Sequence, residues 1–478
     1  MNTDNFDTAA GGAAALPAGA IPATGKRTAA VDAELAPVAK PDPYIWGVYI
    51  FLVLVSIVEL YSASSREVVT SGMLGVFAPV VRHVGTLLLG LVCILFLQRT
   101  HYSKLIKPIT IFAILAGLLM LYVMFFGEKV NGARRSVTFF ITIQPSEMIK
   151  LAAPLMIALI LSRTQNRRNS ELRTPGVWVS VIVVTIYCGL LVTQGMTNTL
   201  LLISISVAML IIGGSRWATL GKITLFYIAL GIVLGAAAVL FVKPDEKDAK
   251  ADEKARADVK TLVEQGKVSP VQLFLLERFG DKGRVGTWVM RSIRHSGNPD
   301  VPKYEQEIAD DNAQEMYAYM AQAHGGLIGV GPGNSRETSR LPLAFSDYIY
   351  SIIIEETGLI GGMFVLGAYL LLLGRASSIA SQCSRAFPAL LVIGMAVTVV
   401  CQALFHMAIV VGVFPVSGQP LPLISKGGCS ILMVSVAFGV MLSVSRFAVR
   451  GSDKKATIRR EIAALPEELR GDNLTMID

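Results

Sequence analysis

The chain has 478 residues, 53% of them hydrophobic and 16% charged, with a formal net charge of +8 and a mean hydropathy of +0.56. A soluble protein of this length carries more charge, so an ordinary soluble domain is excluded and a polytopic membrane protein is indicated. The basic excess does not signal nucleic acid, because the Lys and Arg residues sit mostly in short loops between apolar spans.

Residues 1–43 are rich in Ala, Gly, Pro and Thr and lack the apolar run of a cleaved signal peptide. They read as a disordered cytoplasmic tail. Apolar spans follow at 44–63, 84–98, 106–126, 146–162, 175–193, 199–214, 223–242, 348–373, 387–414 and 428–445, each weighed against a hydrocarbon core of ~30 Å. The second span is short, and Arg82-His83 ahead of it must lie at the interface or face inward. The ninth carries Gln402 and His406, which suit a bundle interior better than lipid. The fold class is therefore all-α and polytopic, with about ten transmembrane helices in a membrane domain spanning 44–446. Residues 447–478 form a basic tail.

Loop charge sets the orientation. Arg99, Lys104 and Lys107, the Arg163–Arg173 cluster, Arg216, Lys222, Arg375 and Arg385 fall on one side with both tails if the spans alternate. The excess of positive charge makes that side cytoplasmic. The opposite side receives 64–82, 127–145, 194–198, a long extracytoplasmic loop at 243–346 between the seventh and eighth helices, and 415–427. The long loop opens with a charge-dense run at 244–267, a solvated segment to which no chemistry is assigned. Further on, Arg278, Arg284, Trp288, Arg291, Arg294 and His295 suit an anionic headgroup or a solvated loop equally. Five scattered cysteines have neither metal-ligand nor redox spacing and read as small apolar fillers.

Three outward segments place polar groups beside apolar helices. The first holds Asn131-Gly-Ala-Arg134-Arg135 and then Gln144-Pro-Ser-Glu147-Met-Ile-Lys150. Pro145 and Glu147 are good first-turn residues, but a cation at Lys150 opposes the helix dipole. Its spacing from Glu147 lets the two share a face, and Asp347 is a further acidic partner at matching depth. The second segment runs from Gly325 through Gly-Val-Gly-Pro-Gly-Asn334-Ser to Ser346-Asp347. It lacks the ending of a phosphate loop. Asp347 lies at the mouth of the eighth helix, and Glu355 follows about 12 Å along the axis. Acids in a membrane helix cost roughly 2.5–3.5 kcal/mol each on insertion scales, so Glu355 and Glu356 are expected at a polar cavity, with Gln144 and Asn334 as secondary cavity residues. The third segment, Pro415-Val-Ser-Gly-Gln-Pro-Leu-Pro-Leu-Ile-Ser-Lys426-Gly-Gly, is re-entrant in character and must be buried in protein or line a cavity. One carboxylate positioned as a base, with Arg134, Arg135, Lys150 and Lys426 as clamps for a pyrophosphate, suits glycosyl transfer from a lipid pyrophosphate. It equally suits a proton-coupled carrier.

These three motifs, in this order and between these spans, resemble the SEDS (shape, elongation, division, sporulation) family over roughly residues 44–446. The glycine loop is more similar to the division branch than to the elongation branch. The resemblance implies a peptidoglycan glycosyltransferase that polymerises lipid II on the outer face of the bacterial cytoplasmic membrane, at the division septum. It also implies a monofunctional class B penicillin-binding protein and other division-complex membrane proteins as partners. Asp347 inherits the family's essential aspartate, and Glu147 and Lys150 its Glu–Lys motif, with Lys150 pairing with Asp347. No cofactor is assigned beyond a divalent cation (Mg or Mn) that the reaction type allows. A lipid II carrier and a non-catalytic division scaffold are the alternatives. The sequence departs from the family in four places. Gln194-Gly-Met-Thr-Asn198-Thr lacks the usual aspartate, and Leu341-Pro-Leu lacks the usual glutamate. Phe345 replaces a His, and Lys426 a Tyr.

Overall fold

The computed structural model describes residues 40–130, 133–138, 142–164, 174–241, 272, 289–293, 305, 308, 312–341, 345–383 and 385–447. For 61, 63–80, 128–130, 133–135, 138 and 232–241 the backbone alone is described. The charged run 244–267 and Arg278, Arg284, Trp288, Arg294 and His295 lie outside these residues, as do the two tails.

The first helix, α1 (Pro43–Leu97), begins at Asp42, whose carboxylate accepts from the Tyr44 and Ile45 amides. At 1.5 Å per residue a straight helix would part Trp46 from Gln98 by about 78 Å. Instead Trp46 Nε1 donates to Gln98 Oε1 at 3.2 Å, and Ser56 Oγ meets His83 Nε2 at 2.8 Å. The helix therefore doubles back, and its two halves correspond to the first two spans of the sequence. His83 faces inward, whereas Arg82 is exposed.

After α2 (Ile106–Phe126) comes a small antiparallel ribbon, β1 (Glu128–Val130), β2 (Ala133–Thr138) and β3 (Thr142–Ile143), with β2 central. The all-helical expectation did not contain it. Then follow α3 (Pro145–Thr164), α4 (Thr174–Val192), α5 (Met196–Ile212), α6 (Trp217–Phe241), α7 (Ala313–Gly325), α8 (Ile349–Ser381), α9 (Ala386–Val410) and α10 (Gly428–Phe447). Seven stretches among the described residues are long and apolar enough to cross a bilayer, and three shorter apolar stretches accompany them. Each of the ten sequence spans coincides with one of these. The chain is a multi-pass membrane protein.

Burial divides the helices. In α3, α9 and α10, 78% of the span is inside the protein, against 28% in α2 and α8, so the first three form the centre and the latter two present apolar faces outward. The central helix α3 lies between α2 and α9, and α10 packs on α1.

One end of the bundle is fastened by Arg375, whose Nη2 and Nε lie 2.7 and 2.8 Å from Asp42 Oδ2. At the same end Ser443 Oγ donates to the Thr100 carbonyl, and the His101 ring meets Phe447. The candidate site lies where the other termini of these helices meet.

Candidate active site

Asp347 precedes α8 and is half-buried, with Ser346 Oγ donating to its Oδ1 at 2.8 Å. The loop from Pro415 to Gly427 holds it in place. The Lys426 amide donates to the Phe345 carbonyl at 3.0 Å. Ser425 Oγ donates to the Ser346 carbonyl and accepts from the Leu421 amide, at 2.8 and 2.7 Å. A Cβ on Gly418 would stand 3.3 Å from Asp347 Oδ2, so the main chain of this loop passes directly against the carboxylate.

The loop is itself over-determined. Leu423 is its one non-glycine residue with positive φ, at 65°, a conformation that costs about 1–3 kcal/mol and persists only where the surroundings impose it. Here Tyr369 OH donates to the Pro422 carbonyl, Ser56 Oγ to the Ile424 carbonyl and Gln402 Nε2 to the Pro420 carbonyl. These bonds satisfy backbone groups that would otherwise be stranded at membrane depth. Gln402 and His406 are thus buried in the bundle, as their polarity requires.

The Glu147–Lys150 pair of α3 lies behind this loop. Its Oε1–Nζ distance is 2.5 Å, and both side chains are almost wholly buried. The second partner of Lys150 is Gln419 Oε1 at 3.4 Å. The direct contact with Asp347 that the resemblance implies is not one that Lys150 makes. The loop intervenes, with Gly418 on the aspartate and Gln419 on the lysine. A cavity beside Lys150 is lined by Glu147, Thr398, Gln402, Met433 and Val434 among others.

The rim is cationic on one side. The Lys426 ammonium lies 5.6 Å from the centre of the Phe345 ring, and Arg291 Nη1 donates to the Val416 carbonyl at 3.3 Å. Nearby, Tyr319 OH donates to Glu315 Oε1 at 2.6 Å. Tyr348, next to the aspartate in the chain, is buried. Arg134 and Arg135 lie on β2, and their side chains are outside the described residues.

Glu355 and Glu356 do not line an open polar cavity, contrary to expectation. Glu355 is fully buried and is bound by Ser335 Oγ, by the Arg336 and Glu337 amides at 2.9 and 3.4 Å, and by His324 Nδ1 at 2.9 Å. Glu356 accepts from Ser62 Oγ. Both carboxyls anchor the 325–337 segment onto the bundle. Asn334 is exposed and only tethers that segment, through Nδ2 to the Val330 carbonyl at 3.1 Å. Gln144 is half-buried, its carbonyl capping the Glu147 amide at 3.1 Å.

The segment is threaded into a break in α8. Gly358 leaves helical geometry (φ 75°, ψ 178°), and there the Val330 and Gly331 amides donate to the Glu355 and Glu356 carbonyls. In return, the Leu359 and Ile360 amides donate to the Gly326 and Leu327 carbonyls. Sequence reasoning missed this stitch, along with Gln419, Asn198 and Ser425. The one available signal was the density of Gly and Pro in both segments.

Comparison with known proteins decides the family. The model of the FtsW/RodA/SpoVE cell cycle protein family matches residues 43–248 and 289–450. The chain belongs to this family. Among FtsW/RodA/SpoVE relatives, a probable peptidoglycan glycosyltransferase FtsW of Coxiella burnetii is 28% identical over 84% of this chain and 95% of its own length. The peptidoglycan glycosyltransferase MrdB of Escherichia coli is 24% identical over 84% and 93%. Among solved structures, a chain of a peptidoglycan synthase complex that coordinates polymerization and crosslinking superimposes with TM-score 0.57 at 21% identity, over 86% of this chain and 98% of that one. The rod shape determining protein RodA of Thermus thermophilus does so with TM-score 0.53 at 19% identity, over 87% and 99%. The structural matches establish the fold.

Proposed function

We propose that this chain is a peptidoglycan glycosyltransferase that polymerises lipid II during cell division. Support for the reaction class comes from its relatives in the family, several of which bear that name. The observation that carries the mechanism is the half-buried Asp347 carboxylate, pressed against Gly418 of a loop whose next residue binds Lys150.

In this reading Asp347 takes the proton of the acceptor sugar's 4-hydroxyl as that oxygen attacks the anomeric carbon of the growing strand. The new glycosidic C–O bond forms as the C–O bond to the diphosphate breaks, with inversion, and the electron pair leaves on undecaprenyl diphosphate. Lys426, Arg291 and the β2 arginines Arg134 and Arg135 are the cations available to stabilise that leaving group. No group of three or more His, Cys, Asp or Glu side chains that could hold a metal ion occurs among the described residues, and no step here is routed through a Mg or Mn ion.

The loop charges support a setting in the bacterial cytoplasmic membrane with both termini inside and the site facing out, at the septum. The matching synthase complex supports a transpeptidase partner of the class B penicillin-binding type. The test is polymerisation by the purified full chain, with and without that partner. Wild type should yield glycan ladders on lipid II, and Asp347→Asn none. A fully active Asp347→Asn would remove the base, and headgroup translocation in liposomes with no polymer would replace the enzyme by a carrier. Intact division with Glu147, Lys150 and Asp347 all neutralised would leave a scaffold.

A further inference from the structure

The geometry points to Gln419, oriented by Asn198, as a positioning residue that joins Lys150 and Asp347 into one unit; this inference rests on the glycosyl-transfer reading of the site. Gln419 is 3% exposed, and all four of its polar groups are engaged. Its Oε1 accepts from Lys150 Nζ at 3.4 Å, and its Nε2 donates to Asn198 Oδ1 at 2.8 Å. Its carbonyl accepts from His406 Nδ1 at 2.6 Å, and its amide donates to the Ser417 carbonyl at 2.9 Å.

An amide presents an acceptor on one side and a donor on the other, whereas an ammonium only donates. Lys150 therefore requires the oxygen of Gln419 on its side, and the Asn198 carbonyl on the opposite side selects that orientation. With the amide reversed, two donors would face each other across a buried contact. Glu147 and Gln419 together take two of the three Lys150 protons and fix the direction of the third. The same residue sets the position of Gly418, and Gly418 sets the wall against which Asp347 rests. Asn198 lies in the first turn of α5, so the contact ties that helix to the loop.

The test uses the full-length protein in detergent with lipid II as substrate. Gln419→Leu should lower kcat about ten- to a hundredfold, the range for losing a hydrogen bond to a charged group, and Asn198→Leu about two- to tenfold, the range for a neutral one, each with KM within about twofold. Asn198→Asp retains the acceptor and should restore kcat. The double variant Gln419→Leu/Asn198→Leu should be no worse than the worse single one, because the two act along one path. In the resting protein the 15Nζ resonance of Lys150 should move in Asn198→Leu and stay in place in Asn198→Asp, a readout independent of turnover. Should Gln419→Leu fail to fold, the Asn198 pair still decides. A wild-type kcat in Asn198→Leu, a multiplicative double variant, or an unmoved Lys150 resonance overturns the inference. A wild-type chain that makes no polymer while the Lys150 resonance responds as stated overturns the glycosyl-transfer reading instead.

Discussion

Lys150 shows what a single buried charge demands. It lies within the first two turns of α3, where the helix dipole disfavours a cation, and it is held there by Glu147 and Gln419. Removing one partner of such a pair leaves the other charge stranded, at a cost of about 3–5 kcal/mol. Lys150→Met should accordingly lower the unfolding midpoint in detergent sharply. Adding Glu147→Gln should return most of the stability and none of the polymerisation, which separates the pair's structural part from its chemical part. The pair was legible in the sequence, since three residues on a helix define a shared face. Gln419 was not, because its partners stand 269 and 221 residues away and a loop has no periodicity to point at them. Glu355 and Glu356 were legible as anomalies, but what surrounds them was not. Intramembrane acids suggest a wet cavity, and here the donors come from a folded-back loop.

Among the elements, α8 departs furthest from its sequence pattern. Glu-Glu-Thr-Gly-Leu-Ile-Gly-Gly reads as continuous apolar helix, yet Gly358 turns out of it to admit residues 326–331. A Cβ at Gly358 would meet the Leu327 carbonyl oxygen at 2.2 Å, and its φ of 75° is one that L side chains rarely adopt. Gly358→Ala should therefore destabilise the fold by about 2 kcal/mol or more, and limited proteolysis should detect the released loop. Gly367, with open space around its Cβ position, is the control on the same helix, where Ala should be neutral or slightly stabilising. The ten spans were readable because hydropathy reports them directly. The doubling-back of α1 is expected for two adjacent spans. The short ribbon at 128–143 escaped notice because three brief strands lack a long alternating pattern.

For the molecule as a whole, structure and chemistry sit at different ends. Asp42 and Arg375 close one end, and the residues around Asp347 occupy the other. Arg375→Gln should cost about 1–3 kcal/mol, below a fully buried pair because the arginine side chain is 26% exposed. Turnover per folded molecule on lipid II should be unchanged; a loss of kcat without loss of stability would show that the two ends are coupled.

The main-chain stitch at the α8 break has a consequence for solvent exchange. A segment as rich in glycine as 325–333 would ordinarily trade its amide protons with deuterium within moments. Yet Val330 and Gly331, together with Leu359 and Ile360 across from them, are held by main-chain carbonyls on the other side of the break. In heavy water these four should keep their protons as long as the helices do. A sequence that looks like a hinge would then be among the last places for deuterium to enter.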